Sequence, residues 1–138
     1  MGNSRQTSVR KLAMQVLYQF ESHAQDDLDA QAKLYLSYSE TEVRTQEMAL
    51  PLALDAWAFS KQADEIIQTH ALNWKVERLN RVDHAIMRLA LYELVVLEKP
   101  KQIVIDEAVN LAKRFSGSEA AKFINGILGA HASNITHV

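Results

Sequence analysis

The chain has 138 residues, 48% hydrophobic and 23% charged, with 15 Lys and Arg against 17 Asp and Glu and no cysteine, so one domain, or two small subdomains sharing a core, can bury roughly two-thirds of the unfolded surface. Lack of Cys excludes disulfides, thiol nucleophiles and thiolate metal sites, and no run nears 18 apolar residues or forms an export signal, so a cytoplasmic chain without membrane contact is expected. Four Gly and two Pro disfavour turn-dense all-β folds and Gly-rich phosphate loops, which leaves an all-α chain.

The start, Met1 to Gln6, misses a myristoylation motif because Gln6 stands where Ser or Thr is needed. Val9, Leu12, Ala13, Val16, Leu17 and Phe20 then follow the i, i+3, i+4, i+7 spacing of one buried helical stripe. Residues 22–29 read as a loop, and a weaker helix is expected from about Ala30 to Tyr38. Ser39 with Glu42 suits a capping box, and Pro51 is expected to split or kink the helical run from Glu42 to His70. Asn73 is placed as the cap of a long helix, Trp74 to Leu97, buried along Leu79, Val82, Ile86, Leu89, Ala90 and Leu94. Asp106 is placed at the start of a short helix that Ser116-Gly117-Ser118 stops, with glycine as C-cap. A last helix, opened by Ser118 or Glu119, carries Phe123, Ile124, Ile127 and Leu128, making seven in all.

Charge is unevenly placed. Residues 1–20 carry +3, residues 21–65 carry −7 and residues 66–138 carry +2, so the formal −2 hides two basic ends around an acidic middle. If the ends meet they form a phosphate-attracting surface; the alternative is ordinary solvated helix faces.

No catalytic constellation stands out. His23, His70, His84, His131 and His137 fall at no metal-ligand spacing, and there is no nucleophile elbow, Walker loop or dinucleotide fingerprint. The adjacent pairs Asp26-Asp27 and Asp106-Glu107 read as turn residues or helix-dipole partners. No enzyme, metal or cofactor is expected.

At 100° per residue, the first helix points Thr7, Lys11, Met14, Gln15 and Tyr18 away from its buried stripe, with Arg10 on the flank. An outward Met and Tyr beside Arg and Lys suit RNA or a protein partner; a later helix covering them is the alternative. A second basic and aromatic cluster, Lys113, Arg114 and Phe115 with Lys122 and Phe123, could stack bases, although spacing alone favours burial of both phenylalanines at helix ends.

Three blocks carry a family resemblance: Arg10 to Tyr18 (RKLAMQVLY), Arg81 to Leu94 (RVDHAIMRLALYEL), and Val104 to Phe115 (VIDEAVNLAKRF) followed by Lys122 to Leu128 (KFINGIL). They resemble the opening helix, the long central helix and the C-terminal signature of the NusB family of bacterial transcription antitermination factors. The resemblance implies an all-α fold of two small packed helical bundles, one NusB-like RNA-binding domain over 1–138 with subdomains of about 1–70 and 71–138. It also implies a non-catalytic role: binding boxA-type RNA of ribosomal operon leaders together with NusE, a small-subunit ribosomal protein, within the RNA polymerase antitermination complex. Carried onto this sequence, the RNA surface is Arg5, Thr7, Arg10, Lys11 and Gln15 with Lys113, Phe115, Lys122 and Phe123, and the partner surface is Met14, Tyr18, Asp83 and Glu119. The same RNA-facing surface also allows self-association into a homodimer.

Two departures stand out. Gln6, Thr7 and Ser8 occupy positions where relatives carry consecutive arginines, which points to modest RNA affinity without the partner, partly offset by Lys11. Gly129 stands where an Asp commonly follows the Asn-Gly-x-Leu motif. A related helical domain begins certain ribosomal RNA cytosine methyltransferases, but these 138 residues hold no nucleotide-cofactor domain, and a purely protein-binding adaptor is the third reading.

Overall fold

The computed structural model describes residues 4–22 and 27–137. The start of the myristoylation-like segment, His23 and Asp26 lie outside them. Among the described residues seven α-helices follow in order: α1 (Ser4–Ser22), α2 (Leu28–Ser37), α3 (Val43–Ala58), α4 (Ser60–His70), α5 (Arg81–Val95), α6 (Lys101–Phe115) and α7 (Ser118–Ala132), with one 3₁₀ turn (Val76–Arg78) before α5. The all-α class and the helix count stand as the sequence implies.

Helix boundaries follow the local chemistry more closely than the wider pattern. Asp27 caps α2 by accepting from the Ala30 amide at 3.1 Å, in keeping with its reading as a turn and dipole residue. The capping box at Ser39 does not form: its hydroxyl bonds Thr41 instead, and α3 starts at Val43 with no side-chain cap. Nor does Pro51 divide the helical run. It sits exposed inside α3, where a missing N–H removes one backbone bond, while Ala49, Ala53 and Ala56 hold the inner face; the break falls at Phe59. Asn80, not Asn73, opens the central helix, accepting from the amides of Val82 at 2.9 Å and Asp83 at 3.2 Å. α6 begins directly after Pro100, which places Asp106 inside the helix. Gly117, at φ 118°, turns the chain from α6 into α7, a conformation glycine adopts without strain.

The first-helix stripe from Val9 to Phe20 is buried as its spacing predicts. α1 packs on α3 and α5, α2 on α3, and α6 and α7 pack on each other and on α5, while α4 bridges α5 and α7. The central helix was expected to bury one side. Instead every residue from Asp83 to Leu94 is buried, because neighbours close over it from all directions.

This enclosure takes charged groups inside, and each meets a partner. Arg10 of α1 donates through Nε to both carboxylate oxygens of Glu93, at 3.1 and 2.9 Å, and through Nη1 to Glu107 at 3.2 Å. Lys99 Nζ lies 2.9 Å from the same Glu93, whose side chain is only 2% exposed. Further along α5, Arg88 donates to Asp64 at 3.0 and 2.8 Å and to Glu21 at 2.9 Å, and lies over the Trp57 ring. His84 Nε2 approaches Asp64 at 2.6 Å. Burial pushes the Asp64 carboxyl up, yet hydrogen bonds and positive charge from His84 and Arg88 outweigh it and hold the group below the usual carboxylate range.

Removing one partner of a buried ion pair strands the other, so Glu93→Ala should cost about 3–5 kcal/mol in urea unfolding, and adding Arg10→Ala should cost much less than the sum of the two. The Asp64 carboxylate, with its lowered folded value, contributes stability above its unfolded value near pH 4 and loses it as pH falls through the lower folded value. Acid titration of Asp64→Asn should therefore show a shallower loss of stability below about pH 4 than the parent chain.

Candidate nucleic-acid and partner interface

Along α1, Thr7, Lys11, Gln15 and Tyr18 keep to the outer side, but two neighbours assigned there do not. Arg10 is 4% exposed because Glu93 and Glu107 draw it inward, which corrects its placement on the outer RNA face. Met14 is 1% exposed, in the core at a hollow that Tyr35 of α2 and Val82 at the start of α5 also line, which corrects its placement on the partner surface. Thr7 Oγ1 donates to Glu107 at 2.8 Å, tying the start of α1 to α6. Arg5 lies farther off, donating to Glu42 at 3.2 Å.

Tyr18 is half open beside Arg81, whose guanidinium lies 5.2 Å from the ring centroid and also donates to Ser22 Oγ. The end of α6 comes alongside. Phe115 is 39% exposed, against the burial its spacing favours, and Arg114 lies 5.3 Å over its ring. Gln15, Tyr18, Tyr35, Val82 and Phe115 thus surround one hollow of about 240 Å³ with Met14 as its floor. Burial pushes the Tyr35 phenol up, so it stays neutral there.

A second hollow, about 450 Å³, opens on the far side of the first turn of α5. Trp74, Arg78, Leu79, Glu119 and Phe123 line it, with Asp83 at its edge. Asp83 is 9% exposed and accepts from Ser116 Oγ at 2.6 Å, so its carboxylate is occupied in joining α5 to the α6–α7 corner, a correction to its reading as an open partner residue. Phe123 is partly buried, its ring 6.2 Å from Trp74 at 70°. Lys113 and Lys122 are exposed, and the 3.7 Å approach of Lys122 to Glu119 is a solvated contact of small energy.

The structure therefore brings Gln15, Tyr18 and Phe115 together, and separately Asp83, Glu119 and Phe123, with Val82 facing one hollow and Asp83 the other. Three site residues escaped the sequence reading. Arg81 stood in plain view two residues before Asp83, whereas Trp74 and Arg78 were hidden by their assignment to the start of the long helix. Among the described residues no group of three His, Asp or Glu could hold a metal ion, and no helix is long and apolar enough to cross a membrane. Nothing lies within 4 Å of a Cβ built at Gly129, so glycine there answers no steric demand.

A family model for the NusB family matches residues 7–133. The transcription antitermination protein NusB of Anaeromyxobacter dehalogenans is 32% identical over 132 residues, covering 96% of this chain and 93% of the relative. That of Bacillus subtilis is 34% identical, covering 95% and 97%. Among solved structures, T. maritima NusB superposes with a TM-score of 0.80 at 30% identity over 96% of this chain and 93% of that one. A chain from a crystal structure of antitermination factors NusB and NusE in complex with double-stranded RNA shares the fold, with a TM-score of 0.81 at 23% identity over 97% and 100%.

The two α1 residues should separate cleanly in thermal unfolding. Met14→Ala, in the core, is expected to cost about 2–5 kcal/mol, and Tyr18→Ala, at the surface, under about 1 kcal/mol.

Proposed function

The chain belongs to the NusB family, and on that premise we propose that it is a non-catalytic transcription antitermination factor, binding boxA-type single-stranded RNA of ribosomal operon leaders as a heterodimer with NusE and supporting read-through by RNA polymerase in the cytoplasm. The observation that carries this reading is half-open Phe115 beside Arg114, on a hollow shared with Tyr18, which with Arg81 beside it stays open to a protein partner. An aromatic ring offers a face to an unpaired base while nearby cations meet phosphate. In this role Lys11, Lys113, Arg114 and Lys122 attract the backbone, Phe115 and Phe123 lie against bases, and Gln15 and Thr7 supply polar contacts. Tyr18 and Glu119 face NusE. A solved complex of the same fold holds NusE and double-stranded RNA, which supports testing both ligands together. Residues 1–138 then act as one RNA-binding helical domain, its N-terminal part ending near residue 70. Arg10 serves by fixing α1 on α5.

The cation count makes the reading quantitative. A gel-shift titration with boxA RNA, with and without NusE and at two salt concentrations, should show binding that NusE strengthens. Lys113→Ala with Lys122→Ala should weaken it and flatten the salt slope by about 1.4 units, about 0.7 for each lost phosphate contact to a single strand. Tyr18→Ala should reduce NusE affinity by about 1–3 kcal/mol. Absence of RNA binding at low salt, even with NusE present, would overturn the proposal.

A further inference from the structure

The segment between α4 and α5 holds a tryptophan that lines the second hollow but has no role in the reading above. Trp74 is 57% exposed, although a ring of this size contributes most when it is covered. The segment that carries it is nevertheless fixed. Gln68 donates through Nε2 to the carbonyls of Trp74 at 2.7 Å and Ala71 at 3.4 Å, and accepts from the Val76 amide at 3.1 Å, while the Trp74 amide donates to Ala71 at 3.1 Å. The ring stands as a ridge between two hollows and packs at 70° on Phe123.

We propose that Trp74 is a base-stacking residue that extends the RNA surface from Phe123 onto the α4–α5 segment, taking an unpaired base of a single strand. The proposal rests on the RNA reading above and adds a residue and a region to it. Three features favour RNA. An exposed indole on a hydrogen-bonded segment is a ready stacking platform, because little backbone ordering is needed on binding. Lys75 and Arg78 follow it within four residues, are exposed and make no ion pair among the described residues, so a cation stands beside the ring in each of the two hollows it divides and can meet phosphate there. The ridge shape offers a flat face, where a protein side chain would need an enclosing socket.

Equilibrium titrations of boxA single-stranded RNA onto the full chain with NusE test this. Trp74→Ala should weaken RNA binding roughly tenfold, within the range of one lost base stack, and Trp74→Phe should recover most of the loss. The salt slope should stay unchanged in both, since no phosphate contact is lost, and NusE affinity without RNA should stay unchanged. A second readout avoids any folding defect: in Trp57→Phe, where Trp74 is the remaining tryptophan, RNA should quench the fluorescence. Unchanged RNA affinity in Trp74→Ala together with no quenching overturns the assignment while leaving the RNA reading intact. Loss of NusE affinity in place of RNA affinity makes the ridge a protein contact and overturns it as well. If the parent chain binds no RNA with NusE present, both readings fall together.

Discussion

The pairing of Arg10 with Glu93 is the contact on which the rest of the architecture turns. A carboxylate that is 2% exposed cannot remain charged without compensation, because moving one ion from water into the interior costs several kcal/mol even after relaxation. Here the compensation arrives from two directions, Arg10 from α1 and Lys99 from the turn after α5, while Glu107 from α6 takes the other side of Arg10. Two cations face two carboxylates, so the cluster is neutral as a whole. Because the arginine fork accepts only a narrow geometry, it fixes the rotation of α1 about its own axis. Once Arg10 turns inward, Lys11 and Gln15 turn outward, while Thr7, three residues before Arg10 and on its side of the helix, meets the same Glu107.

A second set of charges does the same for the other helices. Arg88 gathers Glu21 from the end of α1 and Asp64 from α4, and its planar group covers Trp57 of α3. Apolar contacts alone would let neighbouring helices slide by a residue at small cost, whereas a displaced buried ion loses its partner outright. The two clusters act as register marks along α5, and the surface hollows inherit their positions from them.

Much of this was legible in the sequence. The apolar spacing of Val9 to Phe20 gave α1 and its buried side, and short polar stretches located most of the breaks, because those signals are local. Arg10 and Met14 were misplaced for a different reason. Arg10 sits on the flank of the helical wheel and Met14 on its outward side, and what surrounds them comes from other helices, Glu93, 83 positions from Arg10, and Tyr35 and Val82 around Met14, with no trace in local spacing. Asp83 was likewise legible as a charge at the start of the central block, but its bond to Ser116 spans 33 residues. Pro51 misled because proline's penalty depends on which side of the helix it faces, and that side is solvent. Trp74 was concealed by merging the 3₁₀ turn with α5, which made a loop tryptophan read as a helix residue.

A helix enclosed on every side has almost no surface of its own. The stretch from Asp83 to Leu94 belongs to one of the three blocks that carry the family resemblance, yet it can meet another molecule only at its rim, near Val82 and Asp83. What makes the chain identifiable and what makes it selective are thus written in different residues. The axle of the molecule states its kinship, and its choice of ligand is left to the outer helices and to the segment just before the axle begins.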